Sequence, residues 1–131
     1  MFKNCGKGFL TMILAVCLSF SAGTPTRGSE TFKDAAKLTS GQITQQLKTV
    51  PGWQLEGQQL RHTYEFENFV EAIAFVNLLV NPAESLGHHP DLMINYNRVT
   101  VSLSSHDAGG LTQKDFDLAK TISTIYQKKI N

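Results

Sequence analysis

The segment LMINYNRVTVSLS, residues 92–104, decides the fold of this 131-residue chain. Two strand-like runs, residues 92–96 and 99–104, flank the dipeptide Asn97-Arg98, which predicts an antiparallel hairpin. In the second run apolar residues alternate with polar ones, so one face of that strand should meet the core and the other should meet water. The apolar positions are Val99, Val101 and Leu103.

Upstream of this hairpin, the pattern predicts a second hairpin and a first helix. Residues 53–55 and 60–66 have strand character and flank a turn at Glu56-Gly57. The helix begins at Thr39, which has Gln42 three positions later in capping-box spacing. Pro51-Gly52 ends that helix.

Two more helices are predicted around the segment 92–104. The first follows Asn68 as its cap and is interrupted by Pro82, so it either ends near Val80 and restarts or bends there. Its expected core face comprises Phe69, Ala72, Ile73, Val76 and Val80. The last helix begins at a second capping box, Thr112 to Asp115. Its apolar stripe comprises Phe116, Ala119, Ile122, Ile125 and Tyr126.

The predicted element order is therefore α-β-β-α-β-β-α, which favours an α+β fold with a four-stranded antiparallel sheet. A small open sheet leaves unpaired edge strands, and these are often covered by a second copy of the chain. We expect the second copy to be related by a two-fold axis, and we expect the apolar stripe of the last helix to pair with the same stripe of that copy.

The N-terminus differs in composition from the rest of the chain. Lys3 and Lys7 precede an apolar run from Phe9 to Phe20, and small residues follow it, which predicts a signal peptide over residues 1–23. A lipid-modified Cys17, an uncleaved anchor and a wrongly assigned start codon are the alternatives. We expect residues 24–37 to form a flexible lead and residues 38–131 to form the folded domain. If the signal is real the domain is exported to the periplasm or an equivalent lumen; otherwise it is cytoplasmic.

Charge and cysteine content narrow the classes of function. Cleavage after Gly23 leaves 10 basic residues (12 − 2) against 11 acidic ones, a net charge of −1, and removes Cys5 and Cys17. The remaining domain then has no thiol for a disulfide or for a cysteine-ligated metal. Its charge gives no reason to expect nucleic acid as a partner.

Three of the four histidines fall between positions 88 and 106: His88, His89 and His106. The hairpin could bring them together, and imidazoles suit proton transfer near neutral pH. Ser104, Ser105 and Asp107 flank His106 and could hold its tautomer by hydrogen bonds. Zinc bound by these histidines with an acidic residue is the rival chemistry, although no HExxH spacing occurs. His62 lies on the apolar face of a strand, where we expect a structural role.

Several motifs resemble the pterin-4a-carbinolamine dehydratase family, over about residues 38–130. They occur in the family's order: Gly52-Trp53-x-Leu55-Glu56-Gly57, Glu84-x-x-x-His88-His89-Pro90, Tyr96-Asn97-Arg98-Val99, Leu103-Ser104-Ser105-His106-Asp107 and Gly110-Leu111-Thr112-x-x-Asp115. The resemblance implies a four-stranded antiparallel sheet with three helices on one face, in dimers or tetramers. It also implies dehydration of a 4a-hydroxy-tetrahydropterin to a quinonoid dihydropterin. This reaction belongs to the recycling of tetrahydrobiopterin, the cofactor of the aromatic amino-acid hydroxylases, one of which is an expected partner.

The resemblance also implies roles for individual residues. His88, His89 and His106 are the expected catalytic histidines. The expected substrate-binding residues are Glu84, Pro90, Ser104, Ser105, Asp107, Asp115 and Trp53. No metal and no further cofactor are expected, because the pterin itself is the substrate.

Three features depart from the family pattern. Glycine occupies position 87, where an acidic residue is expected before the histidine pair, and Pro82 interrupts a helix that would normally continue. An export signal is unusual for pterin recycling. The alternative function is a non-catalytic module of the same fold that binds pterin or acts as a dimerisation partner of another protein.

Overall fold

The structure is a computed structural model that describes residues 36–130, so the predicted signal peptide and nearly all of the predicted lead lie outside the described residues. Its sheet contains β1 (Gln54–Glu56), β2 (Gln59–Glu65), β3 (Asp91–Asn95) and β4 (Arg98–Leu103). The strand order is β1-β2-β4-β3, and every pair is antiparallel. β4, the second strand of the hairpin in residues 92–104, therefore lies inside the sheet, and β3 forms one edge.

The register of β2 against β4 places the core on one face of the sheet. Leu60 pairs with Leu103, and Tyr64 pairs with Val99, and all four side chains are buried. Thr63 pairs with Thr100 on the opposite face, where their hydroxyl oxygens lie 2.8 Å apart. The alternation predicted for the second hairpin is confirmed, because a one-residue slip would have exchanged the two faces.

The helices are α1 (Ser40–Leu47), α2 (Phe69–Leu78), α3 (Val80–Leu86) and α4 (Gln113–Ile130). The predicted N-caps are present: Gln42 N donates to Thr39 Oγ1, and Glu71 N donates to Asn68 Oδ1. Helical residues pack against the core that covers one face of the sheet. The predicted α+β fold, with its four-stranded antiparallel sheet and its helices on one face, is confirmed.

The middle helix is divided into α2 and α3, so four helices take the place of the expected three. Of the two alternatives for Pro82, the structure shows the restart: Pro82 is the third residue of α3. Proline is tolerated in a first turn, where its missing N–H has no intrahelical partner to lose. The helical pattern was correct, and only the continuity of the helix changes.

Both predicted hairpin turns are shifted by one residue. The second turn consists of Tyr96-Asn97 rather than Asn97-Arg98, and Tyr96 has φ 53°. The amide side chain of Asn97 donates to Phe66 O, and Phe66 N donates to Asn97 O, so the turn is fixed to the end of β2. In the first hairpin, Gly57-Gln58 separates β1 from β2.

Two expected core residues of the middle helix are exposed. Phe69 is 49% exposed and Val80 is 54% exposed, whereas Ala72, Phe75 and Leu79 are buried. Phe69 is the first residue of α2, and Val80 follows the break that ends that helix. The core face therefore runs through Ala72, Phe75 and Leu79.

The apolar stripe of α4 is covered within one chain. Phe116, Ala119 and Ile122 are fully buried, and the Tyr126 ring packs against Tyr64 with centroids 4.7 Å apart. The expectation that this stripe pairs with a second copy is therefore wrong. The stripe is buried because α4 packs against the core of its own chain.

Candidate active site

A cavity of about 560 Å³ lies where the end of α3, the end of β4 and the start of α4 meet. Its walls include residues from all the histidine motifs of the sequence. They are His88, His89, Ser104, Ser105, His106 and Asp107. The hairpin of β3 and β4 thus brings the predicted cluster of histidines to one cavity.

Gly87 turns the chain into this cavity at the end of α3. It has φ 56°, in the left-handed region that glycine adopts without steric cost. Gly87 N donates to Glu84 O and His88 N donates to Ala83 O, the two bonds of a Schellman motif. The glycine at a position where the family pattern has an acidic residue therefore has a clear structural use. It places the adjacent histidines in different surroundings.

His88 points toward the protein interior and is paired with a buried carboxylate. His88 Nε2 lies 2.7 Å from Asp115 Oδ1, and the exposed fractions of the two side chains are 11% and 0%. Charge-assisted hydrogen bonds in surroundings of low dielectric constant are stronger than those in water. The pair fixes the orientation of the His88 ring.

The other carboxylate oxygen of Asp115 is held by three donors. Oδ2 lies 2.7 Å from the Thr112 backbone N, 2.9 Å from Ser105 Oγ and 3.2 Å from Thr112 Oγ1. The bond from Thr112 N is the second half of the capping box that the sequence predicted at the start of α4. Asp115 therefore serves both as a helix cap and as the partner of His88.

His89 lies on the outer side of the cavity. Its Nε2 is 2.9 Å from Glu84 Oε1, and the exposed fractions of the side chains are 63% and 69%. Solvent screens such a pair, so it contributes little to stability. The two adjacent histidines therefore differ: one ring is buried against a carboxylate and the other remains open to solvent.

His106 begins a short 3-10 turn, His106–Ala108, after β4. Its side chain is in contact with Ser104, whose Oγ lies 3.3 Å from His106 Nε2. The sequence predicts that Ser105 assists His106, but the Ser105 hydroxyl bonds to Asp115 and Thr112 instead. Asp107 lines the cavity beside His106 without a side-chain hydrogen bond to it among the described residues.

Four predicted site residues do not line the cavity: Glu84 and Asp115 contact its histidines, and Trp53 and Pro90 lie elsewhere. Trp53 is 5% exposed, and its Nε1 donates to Ser123 Oγ in the core. Pro90 lines a smaller apolar cavity of about 200 Å³, which shares Glu84 and His89 with the site. Trp53 belongs to a motif that resembles the family, but it contacts the core and not the cavity.

Besides Ala108, two residues that the sequence did not single out for the site also line the cavity, Thr112 and Lys114. Both belong to the predicted capping box at the start of α4. The sequence contained a signal for these two residues, because Asp115 is a predicted site residue and the other residues of its capping box must lie beside it. Among residues 36–130, His, Cys, Asp and Glu side chains form no group of three that could hold a metal ion.

The sequence profile of the Pterin 4 alpha carbinolamine dehydratase family matches residues 36–125. The chain belongs to the pterin-4a-carbinolamine dehydratase family. This match spans all four strands and most of α4, together with the residues that line the cavity.

Curated relatives and a solved structure agree with this membership. A protein of Trichormus variabilis named "Putative pterin-4-alpha-carbinolamine dehydratase" is 59% identical over 91 residues, which cover 70% of this chain and 98% of that protein. One of the same name from Acidobacterium capsulatum is 48% identical over 90 residues, 69% of this chain and 98% of that protein. The crystal structure of a transcriptional coactivator/pterin dehydratase from Brucella melitensis has a TM-score of 0.66 and 32% identity, and covers 69% of this chain and 98% of its own.

Proposed function

We propose that this protein dehydrates 4a-hydroxy-tetrahydropterins to quinonoid dihydropterins. The observation that carries the proposal is the pairing of His88 with the buried carboxylate of Asp115, in a cavity shared with His89 and His106. Capping of α4 uses only Oδ2 of Asp115, so the cap alone does not account for the bond between Oδ1 and a cavity histidine. Perturbed or paired titratable groups in a cleft are typical of functional sites.

The proposed reaction consists of two proton transfers and one bond cleavage. The C4a–O bond breaks as a proton reaches the hydroxyl, which leaves as water. The proton on N5 is removed, and its electron pair forms the N5=C4a double bond. No electrons are gained or lost overall, so positioned acids and bases are sufficient, and each typically accelerates a reaction by about 10²–10⁴-fold.

The surroundings of the histidines suggest how these transfers are divided. His88 is suited to accept the N5 proton, because Asp115 stabilises the imidazolium that results. His89 and His106 remain to deliver a proton to the departing hydroxyl. Ser104, Asp107 and Lys114 line the cavity and supply polar groups for the edges of the pterin ring.

The alternative function is a module of the same fold that binds a pterin or another protein without catalysis. The Brucella melitensis protein of 32% identity is described as both a transcriptional coactivator and a pterin dehydratase, which keeps this alternative open. Calorimetric titration with a stable pterin, run beside a turnover assay, separates the two. Saturable binding without acceleration supports the module, and acceleration supports the enzyme.

We also propose that the protein is a homodimer or homotetramer, through a surface different from the stripe on α4. Residues 69–86 have a mean hydropathy of 1.3, high enough for a membrane span, yet only 22% of them are buried. α2 and α3 pack on the core through Ala72, Phe75 and Ala83, and most of the other residues in this segment are not buried. Among the described residues, eight of the ten exposed large apolar side chains lie on α2, on α3 and along β3 and its turn. They are Phe69, Val70, Leu78, Val80, Leu92, Met93, Ile94 and Tyr96.

The proposal also covers export of the protein and the source of its substrate. Residues 1–23 act as an export signal, and the substrate then comes from a pterin-dependent hydroxylation in the same compartment, such as that of an aromatic amino-acid hydroxylase. N-terminal sequencing of the protein from its native host tests this. A mature chain that begins near Thr24 supports export, a lipid-modified Cys17 replaces it with membrane anchoring, and an intact Met1 in a cytoplasmic fraction contradicts it.

A further inference from the structure

The hydrogen bonds around Asp115 determine where protons lie in the site. The Thr112 backbone N–H can only donate, so Oδ2 accepts that bond. The Ser105 hydroxyl also reaches Oδ2 and donates to it. The Thr112 hydroxyl lies 2.9 Å from Ser105 Oγ and 3.2 Å from Oδ2, and it can donate to either. Donors therefore surround Oδ2, an arrangement that favours the ionised carboxylate over the protonated one.

His88 is the partner of the remaining oxygen, Oδ1. An ionised carboxylate is only an acceptor, so His88 Nε2 must carry the hydrogen of this 2.7 Å bond. In the neutral ring, Nδ1 then bears the lone pair. Among residues 36–130 no hydrogen-bond partner of Nδ1 is found, and no buried side-chain nitrogen or oxygen lacks a partner, so Nδ1 has access to solvent.

We propose that Ser105 and Thr112 are positioning residues that act through Asp115 to hold His88 as the Nε2–H tautomer. This proposal rests on the function proposed above, because it assigns Nδ1 as the atom that accepts the substrate proton. Neither hydroxyl needs to touch the reacting atoms. Their task is to keep the charge on Asp115, so that its proton stays on His88.

Loss of these donors has a definite chemical consequence. With fewer hydrogen bonds at Oδ2, the Asp115 carboxylate becomes a stronger base. The pair can then take up one further proton from solvent, so that Asp115 carries a proton on Oδ1 and donates it in a hydrogen bond to His88 Nε2, while the ring carries its hydrogen on Nδ1. A histidine in that tautomer cannot accept a proton at Nδ1. The other charged and titratable side chains near the cavity are those of His89, His106, Asp107, Lys114 and Glu84, and the described contacts of Glu84 and His106 are to His89 and Ser104.

Nitrogen-15 NMR of the histidine side chains in the full-length protein tests the proposal directly. Two-bond proton–nitrogen spectra distinguish the protonated from the unprotonated ring nitrogen. With His88 titrated to its neutral form, we expect the wild type to show Nε2–H. Ser105→Ala and Thr112→Val should shift the tautomer ratio toward Nδ1–H by roughly tenfold to a hundredfold, the effect expected for a lost hydrogen bond to a charged group.

Matched variants separate positioning from general disruption. Ser105→Thr and Thr112→Ser keep a hydroxyl and should keep Nε2–H, and Thr124→Val, on the exposed side of α4, should change nothing. An Nδ1–H tautomer in the wild type overturns the proposal without any variant. So does an unchanged Nε2–H tautomer in folded Ser105→Ala and Thr112→Val, and Ser105→Ala decides if the buried Thr112→Val does not fold.

A kinetic measurement connects the tautomer to the reaction. If the proteins dehydrate the pterin, Ser105→Ala should lower kcat by roughly tenfold or more while KM changes little, because the lost effect acts on proton transfer. Equal kcat in Ser105→Ala and the wild type contradicts the positioning role. Because the NMR measurement needs no turnover, an inactive wild type with the expected tautomers contradicts the proposed function but leaves the hydrogen-bond assignment intact.

Discussion

His88 and Asp115 are joined by a hydrogen bond of 2.7 Å between Nε2 and Oδ1, although 27 positions separate them in the sequence. The Schellman turn at Gly87 places one partner, and the first turn of α4 places the other. The same carboxylate caps α4 through the Thr112 N–H. Stability and the site therefore depend on one side chain.

Replacement of Asp115 by asparagine should destabilise the fold. The amide has about the same shape, but it removes the charge and places an NH₂ group among donors. Removing the partner of buried hydrogen-bonding groups costs about 1–3 kcal/mol for each group left unsatisfied, and urea unfolding measures this loss. Asp117→Asn, two positions along the same helix and partly exposed, is the control and should cost less than about 1 kcal/mol. Equal losses in the two variants would show that burial of Asp115 is unimportant.

Alanine substitutions should divide the histidines into two groups. His89→Ala and His106→Ala should each lower turnover by about 10²–10⁴-fold with little change in the free energy of unfolding. His62→Ala should instead lower stability, because its ring packs 4.1 Å from the Tyr64 ring and its Nδ1 donates to Gly52 O. Steady-state kinetics and urea unfolding of the three variants test this. Normal turnover in both site variants, with inactive but stable His62→Ala, reverses the assignment.

Alkaline pH should destabilise the protein through Tyr64. Burial raises the pKa of this phenol from 10.0 to about 12. Between those values Tyr64 ionises in the unfolded chain but stays neutral in the folded one, so the free energy of unfolding falls as pH rises. From pH 9 to about 11.5 the wild type should lose about 2 kcal/mol more than Tyr64→Phe, which cannot ionise. Parallel losses in the two proteins would place the alkaline transition elsewhere.

The mass in solution should correspond to two or four chains. Met93 is 66% exposed on the edge strand β3, so Met93→Lys should drive the protein toward monomers by placing a charge on an edge that can pair. Gln127→Lys on the exposed side of α4 is the matched control and should leave the mass unchanged. Light scattering at micromolar concentration measures all three proteins. A monomeric wild type would mean that the apolar surface of α2, α3 and β3 has another use.

The fold was largely predictable because its signals are local. The alternation from Val99 to Leu103 and the caps at Thr39 and Asn68 each fix an element without reference to the rest of the chain. Turn positions were less predictable, because Tyr96 adopts a positive φ that is unusual for tyrosine. The hydrogen bonds between Asn97 and Phe66 at the end of β2 fix the position of this turn, and they exist only in the folded protein.

The residues of the candidate site could be predicted from the sequence, but their burial and their hydrogen-bond partners could not. The motifs indicated His88, His89 and His106, yet adjacency in sequence could not show that one ring is buried and the next is exposed. The partner of Ser105 depends on the packing of α4 against the end of β4, which brings Asp115 within reach. Trp53 shows the converse, since a residue in a family motif packs in the core.

The most direct test of the account is the rate of dehydration of a freshly generated 4a-hydroxy-tetrahydropterin, followed by absorbance with purified full-length protein. We predict acceleration over the uncatalysed reaction that is unchanged by a chelator and unchanged by added zinc, because the proposed step uses only imidazoles as acid and base. Absence of acceleration, or activity that disappears with the chelator and returns with metal, would contradict histidine acid–base catalysis at this site.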